Sequence, residues 1–402
     1  MADFLDYVKW RGDLTIAERP FNEVDSLILT ELAYAQLDGI VPEDSGITLR
    51  EAAQAYVQMG IDQSGLVCDP KRLLAACGES ERFGSLRISD YVSLLERDRQ
   101  VQFSAETWTL GDGTIYVSFR GTDNTLVGWH EDFNFSFMQE TPGQEAAADY
   151  LRRAIAKTAL PVRVGGHSKG GNLAVYAAAY CGSPGRLLTV HTMDGPGFRQ
   201  EVANSPEMQA VLPRVRLIIP EESVVGIILN NKPEKKVIRS SGTGAFQHDP
   251  YTWQVERDSF LPAERQSVAS MLMDRTLSQW LDNMDDRQKQ TFVTAVFELA
   301  GAGGAETLQD ISAKKAETVV SVLGALMKME PGRREDLSSA VGKLVQAGGN
   351  ALLSNAIQSV QEGTQPTVQQ IQDALQKLTD FFKKKDPEET RAGEEKIRQT
   401  ET

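Results

Sequence analysis

The sequence predicts an α/β protein: a mostly parallel sheet flanked by helices, followed by an all-helical C-terminal appendage. Three observations carry this. Val162 to Cys181 reads as a buried strand, a glycine-rich turn and an Ala-rich amphipathic helix in immediate succession. Apolar runs at 187–192, 215–219 and 237–240 follow, the first two separated by helix-like residues or turns, which is the βαβ alternation of a parallel sheet. From about residue 265 amphipathic helical stretches take over, broken at Gly301-Ala-Gly-Gly304, Pro331-Gly332, Gly348-Gly349 and Gly363 to Pro366. The expected division is 1–264 for the sheet domain, 265–382 for the helical region and 383–402 for a charged tail with almost no apolar groups, expected to be disordered.

Along the chain, Val24, Leu27, Ile28, Leu32 and Ala35 recur at helical spacing, so this segment should lay one face on the core. Residues 47–100 carry further helical patterning, with Leu73, Leu74, Tyr91, Leu94 and Leu95 as its apolar positions. Residues 101–110 and 114–119 run apolar on either side of Gly111-Asp-Gly113, a hairpin signal. An aromatic-rich segment, Gly128 to Phe135, precedes a helix expected over 143–157.

The stretch Gly166-His167-Ser168-Lys169-Gly170 fits Gly-x-Ser-x-Gly. In so tight a strand-to-helix turn the apex serine sits in strained backbone, and a side chain at either flanking glycine would strike the neighbouring strand or helix. Ser168 is thereby held out above the sheet, with a helix N-terminus behind it to favour developing negative charge. The same glycines would also suit an ordinary connection with a capping serine.

A nucleophilic serine needs a base, a carboxylate to orient that base, and donors for the oxyanion. Of the four histidines, His167 lies beside the nucleophile with its ring expected to point elsewhere, and His191 lies within a strand pattern. His248 follows the last strand candidate and comes after the serine in chain order, which makes it the favoured base, with His130 next. For the carboxylate, Glu222 after the 215–219 run is favoured, and Asp194 after the 187–192 run is the alternative. The oxyanion donors should be the backbone N–H of Lys169 and a group from Thr122, which follows Arg120 and Gly121 at the end of an earlier strand.

In combination, Phe119-Arg-Gly-Thr122, Trp129-His-Glu-Asp132, Gly166-His-Ser-Lys-Gly170, Gly195-Pro-Gly197, Glu222-Ser-Val224 and His248 resemble, in order, the class 3 lipases of the α/β-hydrolase superfamily. Trp10-Arg-Gly-Asp13, His167-Ser-Lys-Gly-Gly-Asn172, Asp194-Gly-Pro-Gly-Phe198 and His248-Asp-Pro-Tyr-Thr-Trp253 are similar to the bacterial Mbeg1-like family. The resemblance covers roughly residues 1–300. It implies an α/β-hydrolase fold, an oxyanion donor at Thr122 and an esterase or lipase scaffold. In class 3 lipases the acid is an Asp; here that place holds Glu222. No lid segment is legible.

Composition bounds the rest. With 41% hydrophobic and 24% charged residues over 402 positions, the chain has the balance of a soluble globular protein, and its formal charge of −14 opposes sequence-independent binding to nucleic acid. Cys68, Cys77 and Cys181 suggest neither a disulfide framework nor a metal site, and no cofactor is implied. Neither a signal peptide nor a spanning helix is legible, so a cytoplasmic location is the expectation. Val319, Val322, Leu323 and Leu326 make one apolar stripe, and Val368, Ile371, Leu375, Leu378 and Phe382 another. These helices are expected to fold on the hydrolase or each other; a homo-oligomer or partner surface and an interfacial membrane helix are the alternatives.

Two functions follow as expectations. One is a serine hydrolase acting on a small acyl ester or lipid, with a thioester as a related substrate. The other is a catalytically silent hydrolase-fold scaffold acting through its C-terminal helices.

Overall fold

The computed structural model describes residues 2–43, 45–61, 70–96, 101–122 and 134–301, with residues 332, 336, 339, 340, 343 and 346 beyond them. Its centre is one eight-stranded sheet laid out in sequence order: β1 (Ile47–Thr48), β2 (Arg87–Glu96), β3 (Val101–Thr109), β4 (Ile115–Phe119), β5 (Val162–His167), β6 (Leu187–Met193), β7 (Val215–Pro220) and β8 (Lys235–Ile238). The pairs from β1 to β4 are antiparallel; those from β4 to β8 are parallel. The hairpin expected around Gly111-Asp-Gly113 joins β3 to β4, with Thr109 opposite Ile115.

One expectation is corrected. Tyr91, Leu94 and Leu95 lie in strand β2, not on a helix, and Leu94 pairs with Phe103 and Leu95 with Gln102. The register shifts between Ser89 and Val92, where Asp90 takes a φ of 55°. Such a bulge interrupts the two-residue alternation, so the apolar positions on either side fall at three- and four-residue spacing that resembles a helix.

Parallel strands joined in sequence order by right-handed crossovers carry their helices on one face. Accordingly α6 (Pro142–Ala156), α7 (Lys169–Tyr180) and the short α8 (Gln200–Ala203) and α9 (Pro206–Val211) lie together, with Leu151, Leu173, Ala203 and Met208 in one core with Val117 and Val164. The opposite face would be bare without the N-terminal region. It is covered by α1 (Phe4–Arg11), α2 (Glu23–Leu32), α3 (Leu49–Met59), α4 (Pro70–Glu79) and α5 (Glu81–Gly84), whose Tyr7, Leu27 and Phe83 pack with Trp108 and Tyr116.

The start of the chain is locked by a buried charge pair. Arg82 and Asp25 are both fully buried and joined by two bonds, Nε to Oδ1 at 2.6 Å and Nη2 to Oδ2 at 2.5 Å. Arg82 Nη1 also donates to the carbonyls of Leu14 and Arg19, each at 3.1 Å, and Tyr7 Oη donates to Asp25 at 2.8 Å. Gly12 completes this corner: a Cβ there would meet the Val8 carbonyl at 2.2 Å, and its own carbonyl accepts the N–H groups of Glu81 and Arg82.

After β8 the chain makes a small hairpin, β9 (Val255–Glu256) with β10 (Ser259–Phe260), and enters α10 (Val268–Asp282) and α11 (Asp286–Gly301). These two helices pack on the sheet domain: Ser270 Oγ donates to the Ser223 carbonyl at 2.6 Å, and Arg199 pairs with Asp286. The apolar stripes from Val319 and from Val368, the 383–402 tail, and Trp129-His130-Glu-Asp132 lie outside the described residues. Among the described residues, no helix is long and apolar enough to cross a membrane, no cluster of His, Cys, Asp and Glu could hold a metal, and Cys77 and Cys181 are buried free thiols.

Candidate active site

Ser168 sits between the last residue of β5 and the first of α7, with φ 56° and ψ −129°. That is the strained turn expected of the motif, and the flanking glycines explain why the chain tolerates it. A Cβ on Gly166 would lie 2.0 Å from the Gly170 carbonyl oxygen, and one on Gly170 would lie 2.1 Å from that of Phe119. The turn is further tied by Ser168 N–H to the Met193 carbonyl at 2.9 Å, which fixes it to the end of β6.

His248 closes a 3₁₀ turn, Gly244–His248, after β8. Its Nε2 is 3.0 Å from Ser168 Oγ, and its Nδ1 is 2.7 Å from Asp194 Oδ2. Asp194 is fully buried at the end of β6. Its φ of 49° turns the carboxylate back towards the ring, and Oδ1 accepts from Ser223 Oγ at 2.5 Å and Gly226 N–H at 3.1 Å. Asn172, in the first turn of α7, donates to the carbonyls of Pro196 and Gly197 and so holds the loop that follows Asp194 against the elbow.

Glu222, the favoured acid, does not meet the His248 ring. Its Oε2 accepts the Gly244 N–H at 2.5 Å and Gln247 Nε2 at 3.2 Å, so it braces the turn that carries His248 rather than meeting its ring. Glu222 and Asp194 end adjacent strands, but only Asp194 leaves its strand in a backbone conformation directed at the imidazole.

His191 lies in β6 and is buried, which pushes its ring down to about 3. His167 does not point away as expected: its ring lies against that of His248, with centroids 4.7 Å apart and the planes tilted by 32°. His130 lies outside the described residues.

Lys169 opens α7, so its backbone N–H belongs to the first turn, whose donors have no acceptor within the helix. Its amine is buried and donates to Gln102, to the carbonyl at 2.6 Å and to Oε1 at 2.8 Å, away from the serine. The chain after β4 comes very close to the elbow: a Cβ on Gly121 would sit 2.6 Å from the His167 carbonyl and 3.3 Å from Ser168 Cβ. Arg120, buried just before it, is anchored by its N–H to the Ser104 carbonyl, and Thr122 follows Gly121, half-buried.

A family model described as Mbeg1-like matches residues 77–298. The chain belongs to the Mbeg1-like family. No curated protein matches it. Among solved structures it is similar to M37 lipase, at 14% identity over 51% of this chain and 69% of that one, with a TM-score of 0.36. A lipase from Rhizopus microsporus var. chinensis is 16% identical over 53% and 88%, with a TM-score of 0.33. A Rhizomucor miehei lipase in complex with its propeptide is 16% identical over 59% and 81%, at 0.31.

In this Mbeg1-like chain Ser168 opens into a cavity of about 130 Å³. Pro196, Val225, Ile228 and Leu229 form one wall, and Leu277, Trp280 and Leu281 from α10, Met284 from the turn after it, and Phe292 and Val293 from α11 form its roof. Trp280 turns its polar edge away, donating to the Ala340 carbonyl at 2.9 Å, so that an apolar ring face is left for the cavity. The roof was not legible as part of the site, because amphipathic spacing in 268–301 says only that one face is apolar. Asn172 and Ser223 were present in the motifs, but their partners become visible only once the loops are placed.

Proposed function

We propose that this Mbeg1-like protein is a serine hydrolase that cleaves carboxylic esters bearing an apolar acyl chain. One observation carries the reading: Ser168 Oγ, the two nitrogens of His248 and a fully buried Asp194 carboxylate form one hydrogen-bonded line, and the hydroxyl at its end faces an apolar cavity.

Asp194, acceptor-only, fixes Nδ1 as the protonated nitrogen and leaves Nε2 bare towards the serine. As Ser168 Oγ attacks the ester carbonyl, its proton passes to Nε2, and the imidazolium is stabilised by the carboxylate. The carbonyl oxygen becomes an oxyanion, for which the Lys169 N–H and Thr122 are the donors. Collapse expels the alcohol, which takes the proton from Nε2, and leaves the acyl group on Ser168. Water, deprotonated by Nε2, then releases the carboxylic acid and restores the hydroxyl.

The apolar cavity supports an acyl chain, since burying each methylene contributes about 0.8 kcal/mol. A thioester presents the same carbonyl and would follow the same steps. The other reading, a silent scaffold acting through its C-terminal helices, is less favoured by a buried carboxylate hydrogen-bonded to His248. The test is hydrolysis of p-nitrophenyl esters graded in acyl length. Turnover that rises with chain length and vanishes in Ser168→Ala supports the reading; no turnover above that variant with any chain overturns it.

A further inference from the structure

Next to His248 lies a second buried pair, Glu31 and His167. Glu31, on α2, has a side chain only 1% exposed, and neither carboxyl oxygen makes a hydrogen bond among the described residues. His167 Nδ1, likewise buried and without a hydrogen-bond partner among the described residues, lies 3.3 Å from Glu31 Oε1. The other ring nitrogen, His167 Nε2, is 3.0 Å from the backbone carbonyl oxygen of His248, and the two imidazole rings lie 4.7 Å apart at 32°.

These contacts fix the protons. A carbonyl oxygen only accepts, so Nε2 of His167 must carry a hydrogen. In a neutral ring Nδ1 then presents a bare lone pair to Glu31. A carboxylate there would repel it, whereas a carboxylic acid would donate to it. Burial favours the second arrangement on both sides, holding Glu31 up to about 8 and His167 down to about 3. A neutral His167 also matters to its neighbour, because a cation stacked on His248 would oppose formation of the imidazolium.

We propose that Glu31 and His167 are positioning residues for His248: a protonated Glu31 donates to His167 Nδ1, and His167 Nε2–H in turn holds the His248 backbone while its uncharged ring backs the imidazole. The inference rests on His248 acting as the base. The ionisable groups facing the pair are His248 and Asp249 on the turn after β8, Asp194 at the end of β6, and Tyr34 at the end of α2, whose ring is 6.5 Å from that of His167. Loss of the Glu31 proton forces a choice on His167. With its hydrogen on Nδ1 it satisfies the carboxylate but turns a lone pair on the His248 carbonyl, and with its hydrogen on Nε2 the reverse. The grip on the base is lost either way.

The experiment compares wild type with Glu31→Gln, whose amide donates to Nδ1 at every pH, and Glu31→Leu, which cannot donate. The expected kcat of wild type falls on the alkaline side near pH 8; Glu31→Gln retains kcat and loses that fall; Glu31→Leu loses kcat roughly ten- to a hundredfold with KM for a short ester unchanged. With only four histidines in the chain, ¹⁵N spectra of histidine-labelled protein report tautomers directly, and His167 is expected as the neutral Nε2–H form. Equal kcat and equal pH profiles in all three proteins would overturn the proposal, as would a cationic or Nδ1–H His167. If the protein hydrolysed no ester, the hydrolase reading would fall, and the His167 tautomer would still decide whether Glu31 donates to it.

Discussion

The Asp194 carboxylate and the His248 ring meet at 2.7 Å with Asp194 wholly inside the protein, and two donors, Ser223 Oγ and Gly226 N–H, fix the carboxylate from the far side. A buried acceptor so held has one orientation to offer, and the imidazole takes its tautomer from it. Asp194→Asn replaces the acceptor by a group that can donate and should lower kcat by about ten-thousandfold. Glu222→Gln keeps an acceptor for the Gly244 N–H and should stay within about tenfold of wild type. Steady-state kinetics on one ester separates the two positions; the reverse order would return the acid to Glu222.

The elbow should tolerate no side chain at Gly170. The Phe119 carbonyl at 2.1 Å from the added Cβ is backbone of a central strand and cannot give way. Gly170→Ala is expected to cost about 3 kcal/mol of stability, read as a lowered urea midpoint, and to remove activity in whatever remains folded. An unchanged midpoint would mean the turn is looser than its geometry implies.

The Arg82 and Asp25 pair is a test of the N-terminal layer alone. Arg82→Met leaves Asp25 buried without its partner, and a loss of about 3–5 kcal/mol is expected. Adding Asp25→Leu removes the stranded charge and should recover part of that loss, which a double-mutant cycle by chemical denaturation would show.

Glu106 in β3 gives a pH dependence with a definite sign. Burial raises its carboxyl from 4.5 to about 8, opposed by the nearby Trp108 indole N–H and the charge of Arg120. A raised carboxyl holds its proton in the folded chain where the unfolded chain has released it, so its contribution is complete below about pH 4.5 and is lost as the pH rises towards about 8. Glu106→Gln does not ionise. Its melting temperature minus that of wild type should therefore increase steadily across that interval, and a constant difference would show that Glu106 is already charged.

The roof of the cavity should set chain length. Leu281→Trp adds bulk where α10 faces Ser168 and is expected to shift preference to shorter acyl groups, whereas Trp280→Ala enlarges the space and should favour longer ones. The check is the ratio of kcat/KM between a short and a long p-nitrophenyl ester. Ratios unchanged in both variants would place the acyl chain outside this cavity.

What could be seen in the sequence follows from how local each cause is. The elbow was legible because Gly166, Ser168 and Gly170 answer to sterics within five residues, and the β3–β4 hairpin because its turn lies in three. His248 was legible from chain order. The choice between Asp194 and Glu222 was not, because it depends on how the loops after two adjacent strands turn, and a φ of 49° at Asp194 leaves no mark in the pattern. Strand β2 was hidden by the bulge at Asp90. The roles of Glu31 and of Trp280 rest on placements 136 positions from His167 and 112 from Ser168, far beyond any periodicity.

The most direct test of the central claim is covalent labelling by an alkyl fluorophosphonate, with the modified residue mapped by mass spectrometry. One label is expected, on Ser168, lost in Ser168→Ala, strongly slowed in His248→Ala and Asp194→Asn, and retained in Glu222→Gln. Absence of label in the wild type, or labelling as fast in Asp194→Asn as in wild type, would contradict that claim.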